Sequence, residues 1–263
     1  MVWSDPEIVL VRAGVCGYGV ALAWHWLAGR RGGVSFRGVT ALTAAAVACL
    51  GAAIAVRWSQ SGQGPFLTLY EILLSSTFSL GLVFVAACVL TRAAGFTATP
   101  VLGVLAALGL WTLSVSRDVV PLPATFDNPW LWVHLTAGKL FLGACLLGAA
   151  GAAALAVGRV TDTDVRDAFV WRAALAAFVF EGFMLLSGAV WAQDAWGRYW
   201  GWDPLETSAL LTWLVLGALL HARVSFALPD WAARLWLNGV FVLAVLTFFG
   251  VPFFSLAPHK GIV

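Results

Sequence analysis

The sequence predicts an all-α integral membrane protein of about eight transmembrane helices with an outward-facing tryptophan-rich loop. Three observations carry this. Hydrophobic residues make up 61% of the 263 residues and charged residues 11%, with a mean hydropathy of +0.90, whereas a soluble domain carries about 25% charged residues. Apolar stretches near the ~20 residues that a spanning helix needs recur along the whole chain. The connections between them reach only about a dozen residues, so residues 1–263 read as a single polytopic membrane domain.

The spans are expected at roughly 8–28, 38–57, 67–90, 99–116, 130–157, 168–191, 205–222 and 232–251. All should be helices, because backbone groups in lipid must pair within their own segment. Asp5 and Glu7 precede the first apolar run with no basic stretch, so that run is expected to stay as a span and not act as a signal peptide. The third span opens on Gly64-Pro65-Phe66-Leu67-Thr68-Leu69-Tyr70-Glu71. A buried Glu71 near the interface needs a partner, and structural support of the tryptophan-rich loop further along the chain suits it better than direct chemistry. The fifth span is long, and its Gly- and Ala-rich part from Gly143 to Gly158 permits close helix packing. Lys139 and Glu181 fall within spans five and six, where charge is costly unless paired or wetted, so a buried pair is open. Cys16, Cys49, Cys88 and Cys145 each lie in an apolar stretch with no CxxC, which leaves zinc and thioredoxin-like chemistry without support. The net charge of +2 says little about partners.

Between spans six and seven runs Trp191-Ala192-Gln193-Asp194-Ala195-Trp196-Gly197-Arg198-Tyr199-Trp200-Gly201-Trp202-Asp203-Pro204-Leu205-Glu206. It holds four of the 15 tryptophans. Indoles interleaved with charges suit a membrane–water interface. Asp203 reads as an N-cap, Pro204 as the first helical residue and Glu206 as the third, completing a capping box. Residues 191–206 should therefore form a rigid aromatic platform clamped to the top of span seven.

Lysine and arginine set the orientation. Arg30, Arg31, Arg37, Arg92, Arg159, Arg166, Arg172, Arg223 and Arg234 fall on one side; Arg12, Arg57, Arg117, Arg198 and Lys260 fall on the other. The first, richer side should be cytoplasmic, which turns both termini and the platform outward. The four histidines then sort by depth. His134 and His259 lie at the outer level of the platform. His221, seventeen residues after Pro204, lies about 26 Å down its helix at ~1.5 Å per residue, near the inner face, with His25 at a comparable depth. Two imidazoles across a flat aromatic platform could hold a haem iron from both axial sides.

Trp-Gly-x-Tyr-Trp-x-Trp-Asp-Pro-x-Glu-Thr, from Trp196 to Thr207, resembles the tryptophan-rich signature of the cytochrome c assembly (WWD-domain haem-handling) family, most closely its CcsA-like branch. The run at Gly64–Glu71 resembles that family's Pro-Leu-x-x-x-Tyr-Glu motif, and the resemblance extends from about Gly64 to His259. It implies haem b bound externally between two histidines flanking the platform, and a further histidine pair within the membrane. His134, in Trp130-Leu-Trp-Val-His134, looks like the first external ligand. His259, in Ser255-Leu-Ala-Pro-His-Lys-Gly, matches the second by position only. His221, in Leu219-Leu-His-Ala-Arg223, resembles the membrane histidine; for His25 a partner protein is the alternative source of the fourth ligand. Trp191, Trp196, Trp200, Trp202 and Asp203 would shape the ring site. Arg198 has two readings, a contact to a haem propionate or an ion pair with Asp194 or Asp203. Ser208 departs from the pattern, where a tryptophan is usual.

The function so implied is presentation of haem to an apocytochrome c on the outer face, as the membrane subunit of a cytochrome c synthase with holocytochrome c haem-lyase type activity. A ResB/CcsB-like second membrane protein with a large outer domain would complete it, in a bacterial cytoplasmic membrane or its thylakoid equivalent. The cytochrome itself would bring the two thiols, so no catalytic residue is expected here. A haem carrier or exporter that forms no bond is the alternative, and a haem-independent scaffold with an aromatic belt is a third reading.

Overall fold

The computed structural model describes residues 5–30, 36–64, 66–157, 163–226 and 228–254. The long helices are α1 (Pro6–Arg30), α2 (Phe36–Ser61), α3 (Leu69–Leu90), α4 (Ala98–Ser114), α5 (Pro129–Ala156), α6 (Thr163–Trp196), α7 (Pro204–Ser225) and α8 (Asp230–Val245). With the 3₁₀ turn Arg92–Thr97 ahead of α4 and the π-helical turn Leu246–Gly250 after α8, eight segments are long and apolar enough to cross a membrane. The expected spans are all present. Most ends agree with expectation within about four residues; the fourth span begins seven residues early, at the 3₁₀ turn, and the sixth is five residues longer at each end, because hydropathy marks the lipid-facing middle and helical hydrogen bonding continues into the interface.

The described residues form two compact units, Met1–Val120 and Pro121–Val263. In the first, α1 packs on α2 and α4, and α3 joins α2 and α4. The α1–α2 approach is close because small residues meet. A Cβ on Gly17 would lie 2.9 Å from the Ala46 methyl carbon, and one on Gly14 only 2.6 Å from Leu50, the small-residue packing that membrane helices use. One end of this unit carries a buried charge network. Arg57, 3% exposed, donates to Glu71 Oε1 from Nη2 (3.0 Å) and Nε (3.1 Å), and to the carbonyls of Arg117 and Asp118 (both 2.9 Å). Tyr70 Oη donates to Glu7 Oε1 at 2.7 Å. Thr68 and Glu71 form a capping box at the start of α3. Arg57 is therefore the partner that Glu71 needs.

In the second unit α5 is central, packed by α6 and α8. Every residue from Phe141 to Ala152 is buried, so the Gly/Ala-rich part of the helix is enclosed as its composition requires. No hydrogen bond joins Lys139 to Glu181 among the described residues. Glu181 is fully buried with both carboxylate oxygens lacking a hydrogen-bond partner among the described residues. At the far end from the tryptophans, Asp167 binds Arg223 (2.7 Å) and Arg234 (3.1 Å), Asp230 binds Arg223 (3.0 Å), and the Arg223 guanidinium lies 4.0 Å from the Trp171 ring centre. These bonds tie the ends of α6, α7 and α8.

Candidate functional site

The tryptophan-rich stretch divides into two parts. Helix α6 continues through Trp196, since nothing from Ala192 to Ala195 breaks a helix. It stops at Gly197, whose φ of +73° suits the left-handed C-terminal position and whose amide donates to Gln193 O at 2.9 Å. Trp191 and Trp196 thus belong to a helix end, and the true loop is 197–203. Trp191 is 1% exposed and serves as a foundation. Its Nε1 donates to Thr125 O at 3.0 Å, its ring meets Phe126 edge-on (5.3 Å), and Trp196 leans against it (4.9 Å). Asn128 caps α5 through the Trp130 amide and also donates to Asp194 at 3.0 Å.

The loop is clamped to α7 as its sequence predicts. Asp203 Oδ1 accepts from the amides of Leu205 (2.8 Å) and Glu206 (2.9 Å). Glu206 Oε2 reaches back to the amides of Gly201 (2.7 Å) and Asp203 (3.3 Å). These two amides flank Trp202, which is held at φ +56°, a left-handed conformation that a bulky side chain seldom takes. The effect is to present Trp202, 70% exposed, on the outside of the loop, edge-on to Trp200 with ring centres 5.8 Å apart. Exposed Tyr199 adjoins it.

His134 lies beneath this loop on the first turns of α5. Its ring stacks on Trp191 with centres 5.9 Å apart and planes 26° apart. Nδ1 donates to the Met184 carbonyl of α6 at 2.9 Å. A carbonyl can only accept, so Nδ1 carries the proton, and in the neutral ring the lone pair is on Nε2. Iron-ligating histidines commonly make this bond through the nitrogen that does not bind metal. His134, Gly188, Tyr199, Trp200 and Glu206 line a cleft of about 40 Å³. That is room for a water or two, so the cleft itself encloses nothing larger. The Trp200 Nε1 is buried and has no partner among the described residues.

Arg198 forms no ion pair with Asp194 or Asp203 among the described residues; its exposed guanidinium folds over Gly201, about 3.0 Å from where a Cβ there would be. Its charge remains available to an anion at the platform's edge. His221 is at the opposite end of α7, exposed, with Phe226 edge-on at 5.6 Å and Ser225 Oγ 3.4 Å from Nδ1. His25 belongs to α1 in the first unit, half-buried, with Nδ1 unpartnered among the described residues. His259 lies outside the described residues. So the structure gathers His134, Trp191, Trp196, Trp200, Trp202, Asp203 and Arg198, and places His221 at the other end of α7. It adds two residues that sequence reasoning missed, Met184 and Gly188, for which an apolar helix gives no local signal.

Comparisons with known proteins agree with this architecture. Residues 66–259 match the family model described as cytochrome C assembly protein. The chain is 29% identical over 265 residues to cytochrome c biogenesis protein CcsA of Synechococcus sp. (strain CC9311), covering 84% of this chain and 87% of that one. With CcsA of Synechococcus sp. (strain RCC307) it shares 28% identity over 98% of this chain and 96% of the relative. Among solved structures, cytochrome c haem lyase CcmF superposes with a TM-score of 0.76 at 18% identity, over 93% of this chain and 47% of CcmF; this chain thus spans about half that protein's length, and the likeness is one of fold. With eight apolar helices among its described residues, the capped tryptophan loop and a family match over most of its length, the chain belongs to the cytochrome c assembly protein family, as a CcsA-like protein of cytochrome c biogenesis.

Proposed function

We propose that this chain holds haem b against its tryptophan platform and presents it to an apocytochrome c, as the membrane subunit of a cytochrome c synthase. The single observation that carries the reading is the state of His134: Nδ1–H is locked on the Met184 carbonyl, so the ring offers Nε2 as ligand. Exposed Trp202, braced edge-on by Trp200, gives the ring one indole face to lie against, and Arg198 supplies a cation for a propionate, which guanidinium binds with two hydrogen bonds. His259 is the second axial ligand in this reading. His221 and His25 are candidates for a haem site within the membrane.

The chain's own contribution is positioning. Each cytochrome thiol adds across a haem vinyl group, sulfur to one carbon and the thiol proton to the other, so the step consumes no oxidant. A ResB/CcsB-like partner with a large outer domain would hold the cytochrome. The platform faces outward in this reading, from the bacterial cytoplasmic membrane or its thylakoid equivalent.

Absorption spectroscopy of the purified protein, alone and with its partner, tests the reading. A bis-imidazole Soret band with split visible bands on reduction is expected. His134→Ala should lose it, and added imidazole should partly restore it by filling the vacant axial position. A colourless protein from haem-replete cells that also fails to bind haem on titration overturns the proposal. Retained haem with no cofactor attachment in a reconstituted reaction with partner and apocytochrome would favour a carrier instead.

A further inference from the structure

His134 reaches the Met184 carbonyl through a gap in the surface of α6. A helical carbonyl is normally screened by the side chain four residues on, because that side chain leans back over the preceding turn. Here the residue four positions after Met184 is Gly188. A Cβ at Gly188 would lie 2.7 Å from His134 Nδ1 and 2.9 Å from Cε1. Both distances are shorter than real Cβ contacts tolerate. The imidazole cannot swing away easily, for Trp191 stacks on it. It also cannot slide down α5, because Gly138 one turn on is already packed against Met184 Sδ and Phe248.

We propose that Gly188 is a positioning residue for the ligand histidine: its missing side chain is the notch that lets Nδ1 bond to the Met184 carbonyl and thereby fixes Nε2 as the atom offered to iron. This rests on the reading of His134 as a haem ligand. Residues that orient a ligand through its second nitrogen typically change metal affinity by about 10–100-fold when altered, and Gly188 does so through absence of a side chain.

The test compares Gly188→Ala with Gly182→Ala in the full-length protein. Gly182 is on the same helix, and a Cβ there would meet Trp213 Nε1 at an ordinary 3.4 Å. Nitrogen NMR of protein labelled at its four histidines reads the tautomer without haem. Wild type and Gly182→Ala should show His134 protonated at Nδ1, and Gly188→Ala should show Nε2–H or a mixture. With haem, Gly188→Ala should retain about 10–100-fold less tightly and lose the low-spin Soret band, which imidazole should recover. Equal effects from both alanines, or no effect from Gly188→Ala on tautomer and spectrum, overturn the proposal. Should Gly188→Ala fold poorly, the double variant His134→Ala/Gly188→Ala decides. With the ring gone the added methyl has room, so the double variant should be as stable as His134→Ala alone; a further loss overturns the proposal. If His134→Ala itself keeps the wild-type spectrum, the ligand reading has failed, a result distinct from an altered His134→Ala beside an unaltered Gly188→Ala.

Discussion

Glu206→Ala should loosen the tryptophan loop while leaving helix α7 in place. Glu206 is 8% exposed, and its Oε2 accepts from the amides of Gly201 and Asp203 at 2.7 and 3.3 Å. Hydrogen bonds to a charged group contribute about 1.5–3 kcal/mol each. The longer bond is the weaker, so their loss should cost the loop roughly 2–4 kcal/mol. Trp202 adds to the strain released, because a left-handed conformation costs a side chain about 1–2 kcal/mol and the two lost bonds are those that pin its neighbours. The start of α7 should survive, since Asp203 Oδ1 still caps the amides of Leu205 and Glu206. Hydrogen exchange separates the two effects. Protection of the Gly201 amide should fall about 30- to 1,000-fold, at ~1.4 kcal/mol per decade, and that of Leu205 by less than about threefold. Fluorotryptophan at position 202 should broaden in parallel. A folded variant in which Gly201 exchanges within about threefold of wild type would refute the clamp.

Three other outcomes follow from the structure and a fourth from the arginine and lysine asymmetry. Arg57→Met strands Glu71 and the Glu7–Tyr70 pair in a buried site, and breaking a buried pair costs about 3–5 kcal/mol; thermal unfolding in detergent should show it, while Arg57→Met/Glu71→Leu should recover part. Glu181→Leu removes a buried carboxyl with no partner among the described residues and should raise stability by about 1–3 kcal/mol; a loss of that size would show a partner. The bond from Arg117 holds the Asp5 carboxyl below its ordinary value, so its contribution is complete above ~3.9 and is lost as pH falls through the lowered value; Asp5→Asn should remove that part of the acid transition in a stability–pH profile. For orientation, in a cysteine-free background, an impermeant maleimide applied from outside should label Tyr199→Cys, while Val224→Cys, at the other end of α7, should react only after permeabilisation; both native positions are exposed.

Local chemistry was legible and long-range partnership was not. The Asp203–Pro204–Glu206 cap forms from residues three apart, so the letters suffice. Its extension to Gly201, and the left-handed Trp202, depend on how the loop closes. Glu71 announced a need for a counter-charge, but Arg57 is fourteen positions earlier on another helix. Apolar length ends span six at residue 191, five residues before helix α6 stops, because it marks only the lipid-facing part; Gly197 is the better stop signal. His134 stood out as a rare residue at a helix start. Met184 contributes a backbone atom and Gly188 contributes space, and neither leaves a mark in composition or periodicity.

The two capping boxes show how one local device serves two ends. Each N3 glutamate reaches back past its cap, Glu71 to the amides of Thr68 and Leu67, Glu206 to those of Asp203 and Gly201. At α3 the carboxylate is neutralised: Arg57 takes its other oxygen, and the group is fully buried. At α7 no ion pair reaches Glu206 among the described residues, and Glu206 lines the same cleft as His134 and Trp200. In the reading of His134 as a haem ligand, negative charge at Glu206 favours the more positive iron state, because opposite charges attract and a partly buried site screens them less than water does. Glu206→Gln keeps an acceptor oxygen and removes the charge, so protection of the Gly201 amide should fall less than in Glu206→Ala, while on that reading the midpoint potential of bound haem rises. A potential unchanged beside an intact loop would mean that Glu206 serves the platform as a clamp alone.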